Sequence, residues 1–583
     1  MPAATSKSER NALDSTAALG YATTRTLERV AAAVGQMESA PPQFAAAQDI
    51  TRGGLLLAVP ALLAMGLLRH SLEMYALPRG YYGLSSILLL LAMMALGRVK
   101  SIEQLRYVAP GEFGNLLGLD RVPEVRTLRE KLQLLCAQKG RAAQWNAELA
   151  KQWMGLDPKA EPMFYVDGHV RVYHGEVAQL PRHYVARQKL YLRATVDYWI
   201  NAFDGQPFFY VNQEIDHGLV QALTNDIVPW LEEHAPISPE HQQRMDNDLL
   251  TPRFTIVFDR EGYSPDLFEA LQKRRIAVLS YHRYPGDDWE AREFQSQTVT
   301  LPNGESVQMK LAERGTRLPK GLWVREVRKL TDREEQISLV STHGRLEAGA
   351  LAVSLFARWS QENFFRYMRQ NYALDRLVEF GAEDISDTEV AVNPAWQVLN
   401  REVRKQHEAL KSARAQFAAT SLIEPVSDPA IMRFALAQGQ QQESIEERQR
   451  QLEEVRTKRK ATPHHIPVKD LPEEVRFTRL LPERKHFIDT IKMISYRAET
   501  SMVGILREKM SRADDARALL RQIYDTECDI APDLQANTLT VTLHHLTQAA
   551  HDQALRHLCD QLNETETIFP DSQLRLLFKV GSG

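Results

Sequence analysis

A chain of 583 residues is too long for a single hydrophobic core and is expected to form about two to four domains. Its composition, 44% hydrophobic and 25% charged, excludes a wholly disordered or fibrous protein. The net charge of -4 neither announces nor excludes a polyanionic partner, because local Lys/Arg patches vanish in a whole-chain sum. Cys136, Cys528 and Cys559 are the only cysteines and form no CxxC pair, which excludes a disulfide framework and a thiolate zinc site and points to the reducing cytoplasm.

Residues 1–50 are polar and Ala/Ser/Thr-rich, with an amphipathic stretch at 26–37, and read as a polar helical arm ending at Pro41-Pro42. Two apolar runs follow, 54–68 and 87–96. Both fall short of the ~20 residues of a membrane span, and Pro60 interrupts the first, so buried core helices are expected. No basic stretch followed by an apolar one opens the chain, so no secretory signal is expected. Residues 51–155 read as helical, with a helix-turn-helix character over 101–136. Gly118-Leu119-Asp120 supplies the turn, and Val125, Leu128, Leu132 and Leu135 recur at helical spacing. Arg126 and Arg129 then fall on the outer face, where they can meet DNA phosphates or lie solvated.

From about residue 160 the period becomes alternating. MFYVDGHVRVYHGE reads as a strand ending near Asp167 and a return strand. TVDYWINAF and QPFFYVNQE flank Asp204-Gly205, a hairpin signal. A helical stretch at 219–234 precedes RFTIVFDRE, a buried strand ending near Asp259. SPDLFEALQKRR then reads as a helix capped by Ser264 with Pro265 in its first turn, followed by the strand IAVLSYH. This order is that of an α/β, ribonuclease H-like catalytic domain over 156–385. A β-rich insertion at about 290–340, with a turn at Asn303-Gly304, interrupts it. Helical periodicity resumes at 346–377. A charged helical linker is expected over 386–470, and an α+β region with strands in TLTVTLHH and QLRLLFKV over 471–583.

Three acidic residues stand out. Asp167 and Asp259 each follow an apolar strand, where a carboxylate is both rigid and accessible, and Glu362 lies on a helix. Such an oxygen set suits Mg2+ (or Mn2+) in phosphodiester displacement. Arg358, Glu362 and Arg369 are offset by four and then seven residues. That spacing puts them on one helical face, as it would also for a plain salt-bridge stripe. Phe364, Phe365 and Tyr367 read as packing residues, and the scattered histidines His169, His174, His183, His217, His282 and His343 as structural or phosphate-contacting.

The helix resembles the signature of one large group of bacterial insertion-sequence transposases: Tyr, two residues, Arg, three residues, catalytic Glu, six residues, Lys. Arg358, Glu362 and Arg369 fit it, with Arg369 in place of Lys and Leu355 in place of Tyr. Asp259-Arg260-Glu261 is similar to that group's second carboxylate stretch, and the β-rich insertion falls between the second and third carboxylates as it does there. The resemblance spans roughly residues 50–380 and implies a DDE transposase acting on double-stranded DNA. Asp167, Asp259 and Glu362 would be its catalytic metal ligands, and Arg358, Arg369 and Arg260 its phosphate contacts. It also implies a homodimer on DNA and a nucleoid-associated, cytoplasmic protein. Trp323, in the insertion, is a candidate for holding a flipped base, as in related transposases, or a buried strand residue. Two other readings remain open at this point: a nuclease or resolvase of the same fold without strand transfer, and a domesticated DNA-binding protein without activity.

Overall fold

The computed structural model describes residues 25–156, 161–176, 178–185, 188–213, 215–301, 306–376, 382–385, 389–421, 428–472, 476 and 478–581. The chain divides into two compact units. Met1–Tyr173, Thr195–Phe380 and Leu481–Gly583 form the first, and His174–Ala194 with Gly381–Leu480 the second.

In the first unit the early apolar run folds as the turn Gly53–Leu57 and the helix Ala58–Ala64, and the second run as α1 (Leu84–Leu96). A helix that is apolar all round has to be enclosed. α1 is, with Ile87 through Met94 buried against the long helix Pro482–Arg507. Each fully buried Leu there contributes on the order of 2 kcal/mol. Among the described residues no helix is long and apolar enough to cross a membrane. Gly118 turns the chain at φ +63 ahead of α2 (Val125–Leu135). α2 buries Val125, Leu128, Leu132 and Leu135 and leaves Arg126 and Arg129 outside. Arg25, just before the helix Thr26–Ala33, donates to Gly118 O at 2.9 Å, and Arg29 pairs with the buried Asp120.

The unit's large sheet contains β1 (Met163–Val172), β2 (Leu190–Asn201, of which Thr195–Asn201 lies in this unit), β3 (Pro207–Asn212), β4 (Phe254–Phe258) and β5 (Ile276–Tyr281). The strands β6 (Gln295–Thr300), β7 (Ser306–Arg317), β8 (Trp323–Leu330) and β9 (Gln336–Ser341) complete it. Their order across the sheet is β3-β2-β1-β4-β5-β9-β8-β7-β6. β1, β4 and β5 run parallel, and the last four strands form an antiparallel meander joined to β5 through β9. Asp204-Gly205 does turn the β2–β3 hairpin, with Gly205 at φ +87 and Ala202 N donating to Gln206 O at 2.8 Å. Ser264 caps its helix through Leu267 N at 3.3 Å, with Pro265 in the first turn. The Asn303-Gly304 turn lies outside the described residues.

One expectation is corrected. No return strand begins after Asp167, because β1 runs unbroken from Met163 to Val172 and Asp167 lies within it. Gly168 is not among the residues with positive φ, and the alternation continues through Val170 and Val172, so nothing there turns the chain. Only the neighbour stops short: β4 ends at Phe258.

After the meander come the helix Ala348–Phe356 and α3 (Arg358–Tyr372). α3 is fastened by Gln361, one residue before Glu362. Its buried amide donates to Tyr165 O (3.3 Å), Trp199 O (3.2 Å) and Asn201 Oδ1 (2.9 Å), bridging β1 and β2. The His169 ring stacks on Phe365 at 4.9 Å, and its Nε2 lies 2.7 Å from Asp375. Phe364 and Phe365 are buried, as expected of packing residues. Deeper still, Arg171 of β1 is fully buried between Asp197 of β2 and Asp489 of the Pro482–Arg507 helix, and Lys485 joins Asp197 at 3.0 Å. A second sheet pairs Ala47–Ile50 with Cys528–Asp533, then Thr538–Leu543 and Arg575–Val580.

The second unit is built on a helical hairpin, α4 (Pro394–Ser421) and α5 (Asp428–Ala461). Arg414 bonds to Gln449 and Arg459 to Asn400, so the two helices run antiparallel. Among the described residues Val403, Leu410 and Leu452, with Ile445 and Val455 against them, make the seam, which fits a sequence charged on most faces. Short strand pairs close its base: Ala382–Asp384 with Thr478–Leu480, and Val390–Val392 with His465–Pro467.

Candidate active site

The parallel pairing of β1 and β4 sets Tyr165 opposite Val257. Asp259 directly follows β4, two residues past Val257 as Asp167 is two past Tyr165, and the two carboxylates come near enough for Asp259 to act on the Asp167 carboxyl. Because β4 has ended, Asp167 is not roofed over: its side chain keeps 21% of its exposure. Asp259 caps a one-turn helix, Arg260–Gly262, by accepting from Glu261 N at 2.8 Å, and its own carbonyl accepts from Ser280 Oγ at 3.1 Å.

α3 supplies the rest. Arg358, 13% exposed, reaches between the carboxylates, with Nη1 3.3 Å from Asp167 Oδ2 and Nη2 2.9 Å from Glu362 Oε1. Its Nε and Nη1 are buried and make no well-aligned hydrogen bond among the described residues, Nη1 having only the Asp167 ion pair. Arg369 lies half-buried two turns further along the same stripe, about 10 Å away.

Reading by residue type missed the role of Glu261, Tyr198 and Asp216. The Tyr198 hydroxyl donates to Asp216 Oδ1 at 2.7 Å and lies 3.3 Å from Glu261 Oε1. A Cβ on Gly168 would crowd the Tyr198 ring at 3.2 Å, whereas Glu261 Oε2 would be an ordinary contact at 3.8 Å. The sequence signal was the Asp-x-Glu spacing at 259 and 261, which a one-turn helix folds back toward the sheet.

The electrostatics follow. Burial pushes the Asp167 carboxyl up to about 7; Arg358 opposes the shift, and Asp259, Glu261 and Glu362 add to it. Glu261 is raised by burial and by Asp259 and Asp216. For Arg358 burial works against the charge, and Asp167, Asp259 and Glu362 more than offset it. The cluster thus holds more negative charge than one guanidinium neutralises, in a setting that penalises it, and this fits a divalent cation held by oxygen ligands. The oxygens of Asp167, Asp259 and Glu362 are not drawn within 4.8 Å of one another, with Arg358 between two of them. Among the described residues the group that meets that spacing is Asp49, Glu527 and His544.

Arg260 is exposed beside Asp259, its guanidinium 5.8 Å from the Tyr281 ring centre. Trp323 is 63% exposed and lines a groove of about 310 Å³ with Leu250, Arg275 and Ile276, at the N-terminal ends of β4 and β5, whereas Asp259 follows the C-terminal end of β4. Arg126 pairs with Glu130 at 3.0 Å, and Arg129 with Glu103.

The profile of a family described as "Transposase protein" matches residues 20–582, nearly the whole chain. The chain belongs to this transposase family. Its partner is therefore DNA, and the carboxylate cluster is the candidate site of a transposase. Among curated proteins none matches the chain.

Proposed function

We propose that this transposase is of the DDE type, that its large sheet with the flanking helices is a ribonuclease H-like catalytic domain, and that it mobilises a bacterial insertion sequence. One observation carries the reading: Arg358 of α3 spans Asp167 of β1 and Glu362, and Asp259 follows the end of the adjacent parallel strand β4 at the same cluster. The order β3-β2-β1-β4-β5, with a meander appended at β5, supports the fold assignment.

Asp167, Asp259 and Glu362 would hold Mg2+ (or Mn2+), which supplies the positive charge that makes an attacking oxygen nucleophilic and a leaving oxygen stable. Arg358, whose buried Nε makes no hydrogen bond among the described residues, takes a non-bridging oxygen of the scissile phosphate. Gln361 fixes α3 so that this grip is pre-set, and Tyr198 holds Glu261 in place beside the cluster. Arg369 and Arg260 contact flanking phosphates. Water first cleaves the phosphodiester at the transposon end, freeing a 3′-hydroxyl; that hydroxyl then attacks a target phosphodiester, forming one P–O bond as another breaks. The same chemistry at two ends calls for two copies of the chain, acting on the nucleoid.

The test incubates the purified protein with Mg2+, a duplex carrying the element's terminal sequence, and a target plasmid. Joined products that disappear with Asp259→Asn support the reading. Cut ends that are never joined would leave a nuclease or resolvase, and binding without cutting a domesticated DNA-binding protein.

A further inference from the structure

Residues 456–469, RTKRKATPHHIPVK, carry five Lys/Arg and two His with no Asp or Glu, in a chain whose net charge is -4. They form the last turn of α5, the turn at Thr462-Pro463 and the strand His465–Pro467, which pairs with Val390–Val392 just before α4 begins. The run is thereby folded onto the base of the hairpin, beside an opening of about 670 Å³ lined by Trp396, Arg456, Arg459, Lys460 and His464, with no carboxylate in its wall.

The groups there are arranged before any partner arrives. The Trp396 and His464 rings meet edge to face at 4.0 Å, and the Arg459 guanidinium lies 5.9 Å from the Trp396 centre while donating to Asn400 Oδ1 at 2.9 Å. Glu453 and Glu454, up to a turn back, take Arg456 and Lys458 at 2.6 Å each. Arg459 and Lys460 are left with no carboxylate partner among the described residues, and Lys460 is exposed. Basic residues in a last turn also offset the negative end of the helix. That role accounts for one or two charges, but not for a basic run that continues to Lys469 or for an aromatic wall beside it.

We propose that this face grips the phosphate backbone of duplex DNA; the proposal rests on the transposase reading and adds a contact in the second unit. The opening is broad and open to solvent and Arg456, Arg459 and Lys460 line it, which suits a backbone rather than an enclosed small molecule. Trp396 is half-buried and its ring is met edge to face by His464, so basic side chains rather than a broad stacking platform dominate this face, which favours duplex over single strand.

The experiment measures the anisotropy of a labelled duplex of about 30 base pairs and arbitrary sequence with the full chain, from about 50 to 200 mM KCl. Arg459→Gln with Lys460→Gln should lower affinity about tenfold and flatten the log–log salt slope by about 0.9 per lost contact, near 1.8 in total. The charge-preserving pair Arg459→Lys with Lys460→Arg should restore both. Arg459 bonds Asn400, so if the double variant loses helicity, Lys460→Gln alone must still flatten the slope by about 0.9. Lines superimposable on wild type overturn this proposal and leave the transposase reading standing. Wild-type protein that shows no salt-dependent DNA binding overturns the transposase reading instead, and preference for duplex RNA overturns the partner.

Discussion

Arg358 Nη1 stands 3.3 Å from Asp167 Oδ2, and the same guanidinium bonds Glu362 at 2.9 Å, so one cation spans two of the three proposed metal ligands. A divalent ion drawing these carboxylates together has to compete with that bridge.

Replacing the ligands tests this directly. Asp167→Asn, Asp259→Asn and Glu362→Gln should each slow cleavage at least a hundredfold, roughly 3 kcal/mol of transition-state stabilisation, and leave duplex affinity near wild type. Single-turnover cleavage at saturating Mg2+ is the measurement; near-normal rates for one variant would remove that residue from the site. Arg358→Ala should lose both the phosphate grip and the bridge, so its cleavage should fall while its Mg2+ affinity rises. Arg369→Ala should weaken cleavage, and Arg369→Lys only mildly.

The raised Asp167 carboxyl makes stability depend on pH. Its folded value of about 7 lies above the ordinary 3.8, so its stabilising contribution is complete below about pH 4 and is lost as pH rises through 7. Metal-free wild type should therefore be less stable at pH 8 than at pH 5 by roughly 2–3 kcal/mol from this group. Asp167→Asn should flatten that dependence and raise the pH 8 melting temperature. Mg2+ should stabilise wild type at pH 8 more than the variant. Parallel melting curves for the two proteins across pH 5–8 would contradict the assignment.

The buried network behind β1 is a matter of stability. Asp489→Ala would leave the fully buried Arg171 without one of its two carboxylates and should cost about 3–5 kcal/mol in urea unfolding. A loss under about 1 kcal/mol would mean that water or a neighbour replaces Asp489 at once.

DNA contacts away from the carboxylates should separate from catalysis. Arg126→Ala with Arg129→Ala should reduce the salt slope of DNA binding by up to about 1.8, and less if Glu130 and Glu103 retain the side chains. Trp323→Ala should weaken DNA binding, with little change in cleavage rate once DNA saturates. Unchanged affinity in both variants would move the recognition surface elsewhere.

The sequence by itself determined the local elements and the residue types of the site. Alternation and helical spacing, which depend only on near neighbours, marked β4, β5, α2, α3, the Asp204-Gly205 turn and the Ser264 cap. The four-residue offset of Arg358 and Glu362 is the same in any helix. Tertiary structure decided what depends on register between distant segments. β1 runs on past Asp167 while its neighbour β4 ends at Phe258, and the β1–β4 pairing, not either strand's sequence, brings Asp259 near Asp167. Glu261 comes near them only through the one-turn helix that follows β4. Ala47–Ile50 pairs with Cys528–Asp533 across some 480 residues, and Asp489 meets Arg171 across more than 300. No short-range pattern encodes such pairings, since their driving force is burial shared between surfaces that chain order leaves far apart.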